Sequence, residues 1–203
     1  VDGYHGAKLG RYDEVLNNYI YTLNDNVLSM LNVKYLIVEE QGRDVVPNQR
    51  LGAAWLVESP KQMGSAKEVF EAIGHEELGK YAIVGPSAPK LKPKYSTAGS
   101  IRLVEYAPNY LKYEYNSAEE ALAVFSEIYT REGWSASLDG APARPLRADY
   151  ILRGLTKSKS KCRPCPTLTK LPATPVPELP LSPLTLKARR SPNPPPRNRP
   201  KSP

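Results

Sequence analysis

The composition of this chain breaks after Leu155, and the break limits which part can fold. Residues 156–203 hold 13 of the 21 prolines and 11 of the 28 basic residues, with one acid, Glu178, and no aromatic or glycine. Residues 1–155 hold all 13 tyrosines, both tryptophans and all 13 glycines. The body has 17 basic and 20 acidic residues, a net −3, and the last 48 residues have 11 and one, a net +10. The formal charge of +7 therefore belongs to the tail alone. Each proline there removes a backbone donor and fixes φ. Without aromatics the segment cannot bury enough apolar surface to offset its ordering entropy. The expectation for 156–203 is a disordered, Pro-rich basic tail that does not pack on the body.

The body reads as an α+β fold in two parts. Residues 1–97 are expected to form a small α/β unit. Leu9, Tyr12, Val15, Leu16 and Tyr19 recur at helical spacing, and a second short helix follows from Asp25 to Leu31 with Asn24 or Asp25 as cap. Val33 to Val38 reads as a buried strand, 39–50 as a loop, and Ala53 to Val57 as a second strand. Ser65-Ala66-Lys67-Glu68 matches a capping box that opens a helix through Val69, Phe70 and Ile73, ended near Gly74. Tyr81 to Val84 is a third strand. Residues 85–99, with Pro86, Pro89 and Pro93 among three lysines, read as a linker.

Beyond the linker the period changes to two, so 98–155 is expected to be an antiparallel β-sandwich-type domain. Ile101 to Tyr106 and Leu111 to Tyr115 flank a Pro108-Asn109 turn. Ala121 to Tyr129 follows, and Asp139-Gly140 is a strong hairpin signal. Leu146, Ala148, Tyr150 and Leu152 alternate on a returning strand, with Arg147, Asp149 and Arg153 on its polar side. Trp134 and Leu138 are expected near the core. With four or five strands and a stop at Leu155, the sandwich reads as incomplete.

Few residues point to chemistry. No run of 18 apolar residues exists, and the chain opens on Val1, which reads as a fragment of something longer. No phosphate loop, nucleophile elbow or paired carboxylates occur. His5 and His75, the two histidines, have no partner at ligand or triad spacing, so neither a metal site nor catalytic residues are assigned, and no cofactor is expected. Cys162-Arg163-Pro164-Cys165 is a lone CxxC without the second pair that zinc needs. Two weak ligand-binding clusters remain. Tyr4, His5, Lys8, Arg11 and Tyr12 bring an imidazole, two cations and two phenols into about two helical turns, a pattern able to hold a phosphate or a sugar and equally a solvated helix face. Trp134, with Tyr129, Tyr113 and Tyr115, is either a sugar-stacking platform or a set of cross-strand core pairs. The tail's cations have no aromatic among them to stack on a base, so nucleic acid is not the expected partner.

Several phrases occur in a familiar order. They are Gly3-Tyr4-His5-Gly6-Ala7-Lys8-Leu9 with Arg11-Tyr12, Met30 to Ile37 (MLNVKYLI), Leu51 to Val57 (LGAAWLV), Tyr106-Ala107-Pro108-Asn109, Phe125 to Tyr129 (FSEIY), Gly133-Trp134 and Arg147-Ala148-Asp149-Tyr150. Together they resemble the soluble C-terminal region of the YfhO-like bacterial membrane protein family, in its Bacteroidetes-type form, over about Gly3 to Leu155. The family is similar to lipid-linked-sugar glycosyltransferases of the GT-C type. The resemblance implies an extracytoplasmic domain of a polytopic membrane protein, with the transmembrane part of the same protein as its partner and a glycan or lipid-linked sugar as ligand. It also implies that the catalytic carboxylates lie outside this chain. In the family a Gly-x-His-like turn, an apolar strand and a transmembrane helix follow the strand matched by Tyr150 to Arg153. Their absence after Thr156 suits a shifted reading frame, the alternative being a genuine basic tail. Two rival functions stand beside this one: a free carbohydrate-binding or assembly module, and nucleic-acid or anionic-surface binding through the tail.

Overall fold

The computed structural model describes residues 9–38, 44–130, 134–157 and 167–171. The fold is α+β. Helix α1 (Gly10–Val15) runs into one π-helical stretch, Leu16–Ile20, and α2 (Asp25–Met30) follows. The Asn24 side chain accepts from the Val27 N–H at 3.1 Å, the cap expected from its position. Val15, Leu16, Val27, Leu28 and Met30 are fully buried, whereas Leu9, expected on the same face as Val15 and Leu16, is 49% exposed. α3 (Ala66–Ala72) opens on the expected capping box: Ser65 Oγ accepts from the Glu68 N–H at 3.2 Å, and the Glu68 carboxylate accepts from Ser65 Oγ at 2.8 Å and from the Gly64 N–H at 3.0 Å. It is the crossover between β4 (Ser59–Gln62) and β5 (Tyr81–Val84), which pair in parallel.

Three layers result. A four-stranded antiparallel sheet lies in the middle, in the order β11 (Leu146–Ala148), β12 (Leu152–Lys157), β8 (Ala121–Ile128), β3 (Ala54–Val57). Its strands alternate between two cores. Leu122 and Val124 of β8, with Trp55 and Val57 of β3, face the helices and the β4–β5 pair. Ala123 and Phe125, with Ala54 and Leu155, face the other way. There they meet Leu111 and Tyr113 of a five-stranded sheet in the order β10 (Ala141–Ala143), β9 (Ser135–Leu138), β13 (Thr167–Leu171), β7 (Tyr110–Asn116), β6 (Ser100–Ala107). A sheet buried on both faces explains the nearly unbroken apolar run of β8, ALAVF.

This arrangement corrects the expected boundaries. β3, from the first 97 residues, pairs with β8, so the α/β unit and the sandwich share a sheet instead of meeting at a linker. Nor is 85–99 free: the Tyr95 N–H donates to Glu58 O at 2.7 Å, the Ser96 N–H to Glu120 O at 3.0 Å, and Ala88, Leu91 and Tyr95 pack on the core. The sheet does not stop at Leu155 either. Thr156 and Lys157 continue β12, and Thr167–Leu171 pairs on one side with β7 and on the other with β9. β3 and β13 thus each add a strand to one of the two sheets, whose outer edges stay open. The remainder of the tail, 158–166 and 172–203, lies outside the described residues, as do Cys162 and Cys165.

Two smaller differences have local causes. Val33 to Val38, expected as a buried strand, gives β1 (Tyr35–Val38), which pairs only with β2 (Asp44–Pro47), a strand inside the segment expected to be a loop. A two-stranded ribbon has one face to bury: Leu36 packs on the core while Tyr35 and Ile37 are 51% and 65% exposed. Trp134 is half-buried, with the Arg153 guanidinium 5.7 Å from its ring, instead of seated in the core. Leu138 is partly buried against the second core, as expected. No helix of the described residues is long and apolar enough to cross a membrane.

Candidate functional site: an arginine- and tyrosine-walled groove

The returning strand expected over Leu146 to Leu152 is interrupted. β11 and β12 form a hairpin, and Asp149 and Tyr150 at its turn have φ of +46° and +67°. Neither is glycine, and a bulky residue in this region is strained. The strict alternation expected here fails at this point: Arg147 is exposed, but Asp149 is wholly buried and Arg153 is 7% exposed.

Asp149 fixes the turn. Its N–H donates to Ile83 O at 2.8 Å and its Oδ1 accepts from the Ile83 N–H at 2.8 Å, so one residue satisfies both backbone groups of a residue on β5. Its own carbonyl accepts from the Ile151 N–H at 2.7 Å. Oδ2 is buried with no hydrogen-bond partner among the described residues. Burial pushes the carboxyl up from 3.8 to about 7, opposed by the Ile83 N–H.

Tyr150 fixes the wall. Its ring packs against Phe70, centroids 5.0 Å apart, and Phe70 in turn against Tyr19 at 4.9 Å. Its hydroxyl donates to the Glu14 carboxylate. Burial first, and Glu14 second, push the phenol up to about 12, while Arg11 and Arg147 pull it the other way, so both guanidiniums act on this hydroxyl. Arg11, on α1, lies 4.6 Å over the Tyr150 ring, with a long 3.5 Å contact from Nη1 to Tyr150 O. Arg147 lies 4.8 Å over Tyr129, whose N–H donates to Ile151 O at 2.6 Å.

These side chains wall a groove with a cavity volume of about 470 Å³. Arg11, Tyr129, Arg144, Arg147 and Tyr150 line it together with Gly85 to Pro89 and with Ala66 and Val69 of α3. A hollow of about 240 Å³ continues past Tyr150 to Leu9 and Tyr12. Among the described residues, no Asp or Glu lines either space. A further hollow near Lys90 and Lys92 differs: Glu120 lines it and pairs with Lys92. Among the described residues, no group of three or more His, Cys, Asp or Glu is placed to hold a metal.

Of the residues singled out from sequence, Arg11 and Tyr12 line this space, while Tyr4, His5 and Lys8 lie outside the described residues. Trp134 is not among the residues that line either hollow; the Arg153 guanidinium beside it also lies 5.9 Å from Tyr129. The proposed sugar platform does not assemble, because Tyr113 and Tyr115 are buried in the β7 face. Arg144, Arg147 and Tyr150 were missed as site residues. Their signal was present: two arginines within five residues of an Asp-Tyr pair at a strand reversal. No family model matches the chain, no curated protein matches its sequence, and no solved structure matches its fold.

Proposed function

We propose that this chain is the ligand-recognising, extracytoplasmic part of a larger YfhO-like membrane protein, with no reaction of its own, and that the groove is where it recognises its ligand. The observation that carries the recognition role is the groove's wall. Nucleophilic or acid–base chemistry needs a titratable base within reach of the group it activates. Here the wall offers guanidiniums, which keep their protons, and a phenol held up near 12. Ser87, the hydroxyl on the opposite side, has no histidine or carboxylate among its fellow lining residues. Among the described residues, such a lining suits holding a ligand rather than relaying a proton. Its size is that of a small-molecule site, and Tyr129 and Tyr150 give it the aromatic content that glycan sites use.

The membrane-protein parent is supported by the ordered phrases from Gly3 to Leu155. Three of them meet at the groove: Arg11-Tyr12, the Tyr129 end of FSEIY, and Arg147 to Tyr150. In this reading the transmembrane part is the partner and carries the catalytic carboxylates. Sequencing the genomic DNA upstream of Val1 tests the parentage. An open frame encoding many apolar stretches of about 20 residues supports it; a start codon and signal peptide directly before Val1 would sink it and favour a free carbohydrate-binding module.

A further inference from the structure

We propose that the Asp149-Tyr150 turn is a pH-sensitive latch on the groove wall, held shut on β5 while the Asp149 carboxyl is protonated and loosened, with Tyr150, when that carboxyl ionises. The proposal concerns the movement of the wall and stands whichever ligand the groove takes.

Three observations on geometry carry it. First, one residue clasps the turn to β5. The Asp149 N–H and Oδ1 meet the two backbone groups of Ile83, and the Ile151 N–H closes on Asp149 O. Secondly, that clasp has no good place for a charge. Asp149 is wholly buried, and its Oδ2 has no hydrogen-bond partner among the described residues. Here the Ile83 N–H donates to the carboxyl, where water would supply several donors to an ionised one. Thirdly, the turn is loaded against its lock. Asp149 at φ +46° and Tyr150 at +67° lie where residues other than glycine are strained, and such a conformation lasts only while its contacts over-determine it. Weakening the clasp at Ile83 therefore lets two residues relax together.

The moving part is the groove wall. Tyr150 lines the groove, and Arg11 lies over its ring. The next residue, Ile151, accepts from the N–H of Tyr129, a second lining residue. A turn released from β5 carries the anchors of both rings with it.

The charged and titratable groups on the surrounding elements are engaged with one another. On α1, Glu14 accepts from the Tyr150 hydroxyl. The Tyr19 hydroxyl donates to Phe70 O, and on α3 Glu68 caps Ser65 while Lys67 pairs with Glu71. Beside β5, Lys61 pairs with Glu76, and Lys61 and Lys80 both lie over Tyr81. Arg147 of β11 lies over Tyr129, Arg153 of β12 donates to Ile128 O and Thr130 Oγ1, and Glu127 of β8 acts on Tyr113 and Arg153. The Asp149 carboxyl is moved by burial, upward, and by the Ile83 N–H, downward, from 3.8 to about 7. The shut turn thus binds the proton more tightly than the open one. The latch is firmest below pH ~4, weakens as pH rises toward 7, and changes no further beyond.

Amide hydrogen exchange on the full chain, read by NMR from about pH 4.5 to 8 and corrected for the intrinsic effect of pH, tests this. The latch predicts that the Ile83, Asp149 and Tyr129 amides are less protected than those of β8, which lies between two strands. Their protection falls by roughly tenfold per pH unit up to pH ~7 and then levels. D149N keeps an acceptor for the Ile83 N–H and should hold these amides at constant protection. Equal protection of Ile83 and β8 at every pH would overturn the latch, because the turn would then open only with the whole molecule. Flat protection in the parent, a result that needs no variant, would overturn it as well, and so would a slope that survives in D149N. Tyr129 staying protected while Ile83 opens would contradict the release of the wall.

Discussion

Two hairpin turns in this molecule share a backbone handedness and nothing else. Asp139-Gly140 joins β9 to β10 with φ of +53° and +80°, stands in solvent, and uses the residue pair that such turns favour. Asp149-Tyr150 takes the same left-handed region with a carboxylate and a phenol, both buried. The first turn reverses the chain and makes one long ion pair, Asp139 with Lys157 at 3.7 Å. The second reverses it, ties it to β5 through Ile83, and sets Tyr150 under Arg11 in the groove wall. An unfavourable local conformation survives where surrounding contacts over-determine it, and here those contacts also build the candidate site.

The largest effect expected from breaking this contrast is at Tyr150. Tyr150→Ala should cost ~3–5 kcal/mol, because a buried ring is lost and the φ strain stays. Tyr150→Gly should be milder by about 1 kcal/mol, since glycine alone is at ease at +67°. Chemical denaturation measures both; a glycine variant less stable than the alanine variant would show that the turn is unstrained.

Asp149 gives the next effect, and its sign follows from burial. Its folded pKa, about 7, is above the ordinary 3.8, so the folded state binds the extra proton. Its contribution is fully present below pH ~4, falls as pH rises toward 7, and is flat beyond. Three units correspond to ~4 kcal/mol as a ceiling. Asp149→Asn keeps the acceptor for the Ile83 N–H and tolerates the left-handed φ. It should match the parent near pH 4 and exceed it by roughly 2–4 kcal/mol above pH 7. A variant with the parent's pH profile would mean that another group carries the dependence.

Smaller effects belong to the plain turn and the outlying tryptophan. Gly140→Ala should cost ~1–2 kcal/mol through φ alone, because a Cβ there meets nothing within 4 Å, and it should leave ligand binding unchanged. Trp134→Ala should cost about 1–2 kcal/mol, because the ring is half-buried beside the Arg153 guanidinium, rather than the loss expected of a core residue. A larger loss at Trp134 would return it to the core.

What was legible in the sequence follows the same division. Capping at Asn24 and Ser65, the Asp139-Gly140 hairpin and the alternation of Leu111, Tyr113 and Tyr115 are local signals, read within four or five residues, and each appears in the structure. Pairing across the chain was not legible. That β3 joins β8, and that Thr167–Leu171 enters the sheet between β7 and β9, depends on contacts 30 or more residues apart, which composition does not encode. Proline density describes the tail as a whole and hides a five-residue strand of alternating threonine within it. The site was half legible for the same reason. Arg11 and Tyr12 stood out as a cluster on one helix, whereas Arg147 and Tyr150 read as opposite faces of a regular strand until Asp149 turned the chain.

The groove's reading as a ligand site is tested most directly by a crystal structure of the chain soaked in methyl glucoside. The account predicts ordered sugar inside the groove lined by Tyr129 and Tyr150. Sugar confined to the outer surface, with the groove empty, would contradict it.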